Sequence, residues 1–528
     1  MQLKAPIPNA HSLRARVGRI AIALQARQPS ELFSLAESAL RESRLLEFRL
    51  DALDKPQAAI APLKRFLHKA QQQHGEIVAI ATCRRKPNGG QFSGTLAEEL
   101  HLLQEAVTAG CSIVDLEIES AEQATEVQLQ GLRQALHASN AALLISFHNF
   151  TRFVDPATVL DRMRAFQPDF LKIIPTARSL MDNVRLLRWM DKLIGNEQVV
   201  ALAMGEEGAL SRILSLRSGS AFTFAAPTTG AQGTAPGQFT AHAMRESFRI
   251  EQIDKATRIY GVVGNPVAHS LSPLMQNAAF QRERFDAVYL PLLVHTMEDL
   301  LEAVRELPLS GLSITMPFKQ QILPHLANLD PLSARLGACN TVRLGADRRL
   351  YGFNTDVAGV VRPLERRLPL RGAQVLVLGA GGAARAAVFG LVDKGARVYL
   401  CGRNTEITAR LADEAGATAI ARSLVPDQSF DVLVNATPCG MVGHPQSLPL
   451  LPEEWNARVV FDLVYNPLET PLLRMARERG CTVIQGVEMF VQQGARQFEL
   501  WTGKPAPEAE MMRTVLHALE QRAQAAAN

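Results

Sequence analysis

A lysine stands inside one of the most apolar stretches of this 528-residue chain. In F-L-K-I-I at 170–174, strand alternation puts Lys172 on the face opposite Leu171 and Ile173. An ammonium in a core is costly unless paired or neutral, and desolvation lowers its pKa toward nucleophilic use. The alternative is a side chain that snorkels at a rim. Other chemically able groups sit at or just past the ends of neighbouring apolar runs: Glu47, Arg49 and Asp51, then Arg84, Asp115 and Glu117, His148, and Met204.

A second constellation lies in V-L-V-L-G-A-G-G-A-A-R-A at 375–386, a strand, a glycine turn and an Ala-rich helix start. Gly379, Ala380, Gly381, Gly382 and Ala383 form a turn through which backbone can approach a pyrophosphate at a helix N-terminus. The strand A-R-V-Y-L-C at 396–401 follows at the spacing of a βαβ unit. It ends in C-G-R-N-T, with no carboxylate before Glu406 to hold a ribose 2′-hydroxyl. Arg403 suits a 2′-phosphate instead, which favours NADP over NAD.

The elements that must position these groups are legible. Eight short apolar runs begin at 19, 44, 76, 112, 142, 170, 199 and 221, separated by amphipathic stretches such as 95–109, 123–137 and 179–194. Alternating strand and helix implies a parallel sheet, and eight repeats suit a closed (β/α)8 barrel, with an open sheet as the alternative. Barrel sites gather at the C-terminal strand ends, where these polar residues fall. The charged stretch 241–257 lacks a strand pattern and reads as a helical connector.

At roughly 150 residues per domain, the length allows about three domains. The sequence carries 56 Lys+Arg against 52 Asp+Glu, no electrostatic footprint for nucleic acid or a membrane surface. The six cysteines are dispersed, with no C-x-x-C pair and no metal-ligand spacing, which points to a reducing compartment and no metal site. No stretch reaches the roughly 18 apolar residues of a membrane span. The opening residues lack the apolar core of a secretory signal, so a cytoplasmic location is expected. Nothing in the sequence specifies an oligomeric state.

Several strings of the first half resemble type I 3-dehydroquinate dehydratase. They are E-F-R-L-D (47–51), T-C-R (82–84) followed by G-G (89–90), D-L-E (115–117), S-F-H-N-F (146–150), L-K-I-I (171–174), M-G-x-x-G-x-x-S-R (204–212) and A-P-G-Q (235–238). The resemblance implies that Lys172 forms an imine with the substrate ketone and that His148 removes the α proton and protonates the departing hydroxyl. It implies Arg212 at the carboxylate and Glu47, Arg49, Arg84 and Gln238 around the hydroxyls. A protonated imine is a better electron sink than a carbonyl. One imidazole moving the proton both ways asks for a pKa near the working pH. Asn88 stands where members of the family usually carry Glu near the histidine. Asn88 would orient His148, or Glu117 would supply the charge, and the dehydratase would be slowed or shifted in pH optimum.

The second half resembles shikimate dehydrogenase, through G-N-P-V-A-H-S-L-S-P (264–273), G-L-S-I-T-M-P-F-K (311–319), G-A-C-N-T-V (337–342), G-F-N-T-D-V-A-G (352–359), N-A-T-P-C-G-M (435–441), D-L-V-Y-N-P (462–467) and G-V-E-M-F-V-Q-Q-G (486–494). The resemblance implies that Ser270 and Ser272 bind a carboxylate. Thr315, Asn340, Thr355 and Gln493 would hold ring hydroxyls, with Lys319 and Asp356 the catalytic pair. Tyr465 and Gly486 would lie near substrate and nicotinamide, and Asn435, Ala436, Thr437 and Met489 along the cofactor cleft. Gln276 and Ser313 depart from the usual His and Asn, with modest effects expected. A single basic residue before Arg410 implies a loose grip on the 2′-phosphate and some use of NAD.

The expected architecture is α/β: a (β/α)8 barrel over 1–245 fused to a two-domain dehydrogenase. Its substrate domain spans 256–360 with a returning helix at 506–525, and its Rossmann NADP-binding domain spans 361–505. The expected function is dehydration of 3-dehydroquinate followed by NADPH-dependent reduction of 3-dehydroshikimate. A quinate/shikimate dehydrogenase using NAD, and a half that only binds, are the competing readings.

Overall fold

The computed structural model describes residues 8–193, 197–228, 237–444 and 447–527. Ala235 and Pro236 of the A-P-G-Q string therefore lie outside the described residues, whereas Gly237 and Gln238 lie within them.

Each of the eight apolar runs forms a strand: β1 Ile20–Leu24, β2 Leu45–Arg49, β3 Val78–Thr82, β4 Ile113–Glu117, β5 Ala142–His148, β6 Phe170–Ile174, β7 Gln198–Ala201 and β8 Thr223–Ala225. They make one parallel sheet in the order β7-β6-β5-β4-β3-β2-β1-β8, so the last strand lies beside the first, with Ile20 opposite Thr223. Two bonds draw β7 toward β8: Ala221 N–H donates to the Val199 carbonyl at 2.7 Å, and Ala201 N–H to Ser220 Oγ at 3.3 Å. The sheet is a near-closed barrel rather than an open one. β-Branched and alanine side chains, such as Val78, Ile80, Ile113 and Val200, fill its buried cluster.

The outer helices begin where the sequence caps them. Thr95 and Glu98 form a capping box for the helix Leu96–Thr108, and Thr125 with Gln128 does the same for Glu126–Ser139. That second cap explains why the expected 123–137 stretch divides, with a short helix at Ile118–Gln123 ahead of it. The segment 241–257 is not a regular helical connector. It holds one π-helical turn, Ala243–Ser247, and buries Met244, Phe248, Ile250 and Ile253, because its apolar residues are spaced for packing rather than for solvent. The first compact unit accordingly runs to Thr257 and also takes in Pro291–Pro308, while the second holds Arg258–Leu290 and the chain from Leu309 onward.

The second unit contains two six-stranded sheets. The first is mixed: β9 Arg258–Gly264, β10 Ala287–Leu293, β11 Leu309–Ile314, β12 Asn328–Leu329, β13 Thr341–Leu344 and β14 Leu350–Phe353, in the order β10-β9-β11-β13-β14-β12. The other is parallel: β15 Gln374–Leu378, β16 Arg397–Cys401, β17 Thr418–Ala419, β18 Phe430–Asn435, β19 Ala457–Asp462 and β20 Thr482–Ile484. Its order, β17-β16-β15-β18-β19-β20, is the doubly wound pattern that opens a crevice beside its first strand, β15. The helix Gly486–Thr502 packs on the helix Asp356–Glu365, and the final helix Glu508–Ala527 returns to pack on Gly486–Thr502 and Ser272–Arg282. Met511, Val515 and Leu519 anchor it.

Candidate functional sites

Glu47, Arg49, Arg84, His148, Lys172, Arg212 and Gln238 all line one cavity of about 240 Å3 at the barrel mouth. Lys172 is 4% exposed, which excludes the rim reading. Its ammonium is paired rather than neutral: Nζ lies 2.8 Å from Asp115 Oδ2 and 3.2 Å from Glu47 Oε1, and 4.2 Å from the centre of the Phe224 ring. Glu47 also accepts from Thr82 Oγ1, and Arg49 is held by both oxygens of Asp51. Arg212 is 2% exposed, and burial lowers its guanidinium to about 10. A cation held in that state suits an incoming anion.

Arg84, on the wall of this cavity, makes two further bonds. Its Nε donates to Glu117 Oε1 at 2.9 Å and its Nη2 to His148 Nε2 at 3.0 Å. A guanidinium has only donors, so His148 is a neutral imidazole with its proton on Nδ1. Burial, reinforced by the charges of Arg84, Lys172 and Arg49, holds His148 well below the usual histidine range rather than near it. Asn88 does not orient His148, because its amide donates to Ser120 Oγ at 3.2 Å. Glu117 instead reaches the imidazole through Arg84, and burial, opposed by Arg84, pushes Glu117 up to about 8.

The second unit has a larger cleft, about 430 Å3, lined by Ser270, Ser272, Thr315, Lys319, Asn340, Asp356, Tyr465, Gly486, Met489 and Gln493. Lys319 Nζ lies 2.5 Å from Asp356 Oδ2, and Asn340 Nδ2 donates to Asp356 Oδ1 at 2.8 Å. Thr355 stands behind this wall: its N–H donates to Asn340 Oδ1 at 2.7 Å. Gly486 must be glycine, since a Cβ there would lie 2.3 Å from the Val464 carbonyl oxygen. Gln276, in place of the usual His, is a buried strut whose Nε2 donates to the Gly494 carbonyl.

The glycine turn follows β15, with Gly379 at φ +105°, a conformation that side chains resist. A Cβ at Gly381 or Gly382 would meet nothing within 4 Å, so backbone is open on the side a phosphate would approach, at the start of the helix Gly382–Asp393. Ala380 lies near Gly402, and Arg403 is exposed just past β16. Ala436 and Thr437 border Gly379. Asn435 differs from the expectation. It is fully buried, with Nδ2 bound to Asp462 and Oδ1 to Thr437, so its side chain shapes the turn instead of facing the cleft. The donors and open backbone fit a dinucleotide with a 2′-phosphate. Among the described residues, no group of His, Cys, Asp and Glu could hold a metal ion.

Residues 20–255 match the family model of type I 3-dehydroquinase. Residues 262–342 match the shikimate dehydrogenase substrate binding domain, and 486–516 the shikimate 5′-dehydrogenase C-terminal domain. The chain is 32% identical over 486 residues to the bifunctional 3-dehydroquinate dehydratase/shikimate dehydrogenase, chloroplastic, of Arabidopsis thaliana, covering 88% of this chain and 78% of the relative. The chain belongs to that bifunctional family. It is also similar to the shikimate dehydrogenase (NADP(+)) of Maridesulfovibrio salexigens, at 38% identity over 50% of this chain and 98% of the relative. Among solved structures, the shikimate 5-dehydrogenase of Thermus thermophilus in complex with NADP(H) and shikimate is similar with TM-score 0.46 and 36% identity, covering 50% of this chain and 100% of that one.

Some lining residues of this dehydratase/dehydrogenase chain went unread in the sequence. Gln25 follows β1 directly, so the end-of-strand rule reaches it. Phe150 stacks on His148 with centroids 5.9 Å apart, and Gln497 lies one helical turn beyond Gln493 on the same wall. Phe224 carried no signal, because its ring matters only through Lys172 on a strand that is distant in sequence.

Proposed function

We propose that the barrel dehydrates 3-dehydroquinate to 3-dehydroshikimate through an imine at Lys172, and that the second unit reduces that product to shikimate with NADPH. The observation that carries the first part is a buried amine, paired with Asp115 and Glu47, that shares one small cavity with Glu47, a neutral imidazole and a desolvated guanidinium.

Arg212 takes the substrate carboxylate. Asp115 or Glu47 accepts the proton that Lys172 must lose before its nitrogen attacks the ketone carbon. The C–N bond forms and the carbonyl oxygen departs as water. The protonated imine draws electrons from the adjacent carbon while His148 takes its proton. Substrate oxygens that attract Arg84 Nη2 free the His148 lone pair for that step. The enamine then expels the β-hydroxyl, which leaves as water with the proton held by His148. Hydrolysis of the imine returns Lys172.

In the second unit the carboxylate binds Ser270 and Ser272, and Thr315, Asn340 and Gln493 hold the hydroxyl side, with Thr355 supporting Asn340 from behind the wall. Bound NADPH supplies the hydride. Lys319 donates a proton to the ketone oxygen, where negative charge grows, and Asp356 keeps the ammonium aimed. Arg403 supports NADP over NAD, as does the similarity to shikimate dehydrogenases (NADP(+)), while the glycine turn accommodates the pyrophosphate common to both. Because each pocket holds its amine and its acid/base partners, neither half reads as a binding module alone. Six free cysteines support a reducing, cytoplasmic location, which cell fractionation tests.

The test is a coupled assay from dehydroquinate and NADPH with product identified by mass spectrometry, repeated with Lys172→Ala and Lys319→Ala. Each change should abolish one activity and spare the other. Loss of both, or of neither, contradicts the proposal.

A further inference from the structure

The Lys319–Asp356 pair sits at one end of a buried hydrogen-bond chain whose far members touch neither partner. We infer that Gln497, aimed by Tyr289 through Ser313, is a positioning residue that fixes the Asn340 amide and so holds the Asp356 carboxylate on Lys319. This rests on reading Lys319 and Asp356 as the proton-donating pair of the reduction.

The carboxylate orients the chain outward, with Thr355 Oγ1 a second neighbour of both the Asn340 amide and the Thr341 hydroxyl. Asp356 Oδ1 only accepts, so the Asn340 amino group must face it, at 2.8 Å. Asn340 Oδ1 therefore faces away and accepts from Thr341 Oγ1 at 2.8 Å as well as from Thr355 N–H. Thr341 has one hydroxyl hydrogen and has spent it, so its oxygen accepts from Gln497 Nε2 at 3.1 Å. Gln497 Oε1 then faces Ser313, whose hydroxyl donates to it at 2.9 Å. Ser313 Oγ in turn accepts from the Tyr289 phenol at 2.5 Å. Tyr289, Ser313, Asn340, Thr341 and Gln497 are all buried, with no more than 6% exposure, and Ser313, Asn340 and Gln497 also border the cleft.

A hydroxyl at position 313 both donates and accepts, which lets the phenol set the Gln497 amide. The consequence appears at Asn340. If Gln497 ceases to donate, Thr341 is free to turn its hydrogen elsewhere, and the Asn340 amide loses one of the contacts that oppose a flip, keeping that of the Thr355 N–H. A flipped Asn340 would present its oxygen to the Asp356 carboxylate and loosen the aim of Lys319. Tyr289 does not line the cleft; its phenol reaches the reaction through Ser313, while its ring packs on Trp501, a contact that Tyr289→Phe retains. Bonds in such a chain polarise one another, and its members act as a unit.

The experiment is a double-variant comparison on the full-length protein, with 3-dehydroshikimate and NADPH as probes and the dehydratase rate as an internal concentration standard. Gln497→Met should lower the reduction kcat about tenfold, and Tyr289→Phe about threefold, the size of one or part of one buried hydrogen bond. In Tyr289→Phe the KM values for both substrates should stay within about twofold, since the phenol touches neither. The decisive outcome is the double variant. A single chain predicts about the tenfold loss of Gln497→Met alone, whereas independent structural roles predict the product, about thirtyfold. A multiplicative loss, or a Tyr289→Phe effect confined to KM or to thermal stability, overturns the inference. If Gln497→Met does not fold, Ser313→Ala replaces it with the same expectation, and Ser313→Thr should restore kcat. Full reduction activity in Lys319→Ala would instead overturn the proposed reaction itself, so the two failures are distinct.

Discussion

Replacing Lys172 by methionine keeps the length of the side chain and removes its charge. The ammonium is the shared partner of Asp115 at 2.8 Å and Glu47 at 3.2 Å, with side-chain exposures of 5%, 0% and 5% for Lys172, Asp115 and Glu47. Deleting it leaves two carboxylates in one buried site. Removing one partner from a buried ion pair destabilises by about 3–5 kcal/mol, which we expect for unfolding of the barrel at pH 8. The sign of the pH dependence follows from linkage. Without the cation, burial and mutual repulsion raise the carboxyl pKa values of the folded variant above the unfolded values near ~4. Above that pH the folded state then binds more protons than the unfolded state, so variant stability falls as pH rises. The gap between variant and parent should be near its full size at pH 8 and narrower at pH 5. Hydrogen exchange of peptides from β4 and β6 in rising denaturant reads this unit alone. Dehydratase activity should vanish while oxidation of shikimate with NADP+ is retained. Equal stabilities at pH 8, or a gap that widens on acidification, would refute the placement of a charged lysine between these two carboxylates.

Three further outcomes follow from the same geometry. Since burial and three neighbouring cations hold His148 below its usual range, its ring signals in NMR should not titrate as pH falls through 6.5, and Arg84→Met should move the titration upward. Arg403→Gln should raise KM for NADPH by roughly ten- to a hundredfold, the worth of a charge-assisted bond, and leave KM for NADH unchanged. Gly381→Val has room in the free protein, so stability should shift by no more than about 0.5 kcal/mol while calorimetry finds cofactor binding lost.

The barrel was legible because strand and helix periods alternate cleanly, and the pocket because barrel chemistry collects at strand ends. Glu47, Arg84, His148 and Lys172 needed only that rule to be grouped. What stayed hidden were pairings across strands. That Arg84 occupies the His148 lone pair, and that Asn88 turns to Ser120, depends on side-chain packing among several elements, which periodicity does not encode. Asn435 matched a cofactor-cleft string, yet its amide is tied to Asp462, because the same string also builds the turn. The 241–257 segment misled through its charges, while the sparse apolar residues between them set its fold.

In the proposed dehydration, Lys172 becomes covalently linked to substrate. Incubating the protein with 3-dehydroquinate and sodium borohydride, then digesting it for mass spectrometry, tests this directly. A reduced adduct is expected on the peptide carrying Lys172, dependent on substrate and accompanied by loss of dehydratase but not dehydrogenase activity. Continued dehydration with no adduct at Lys172, or an adduct on another lysine, would contradict it.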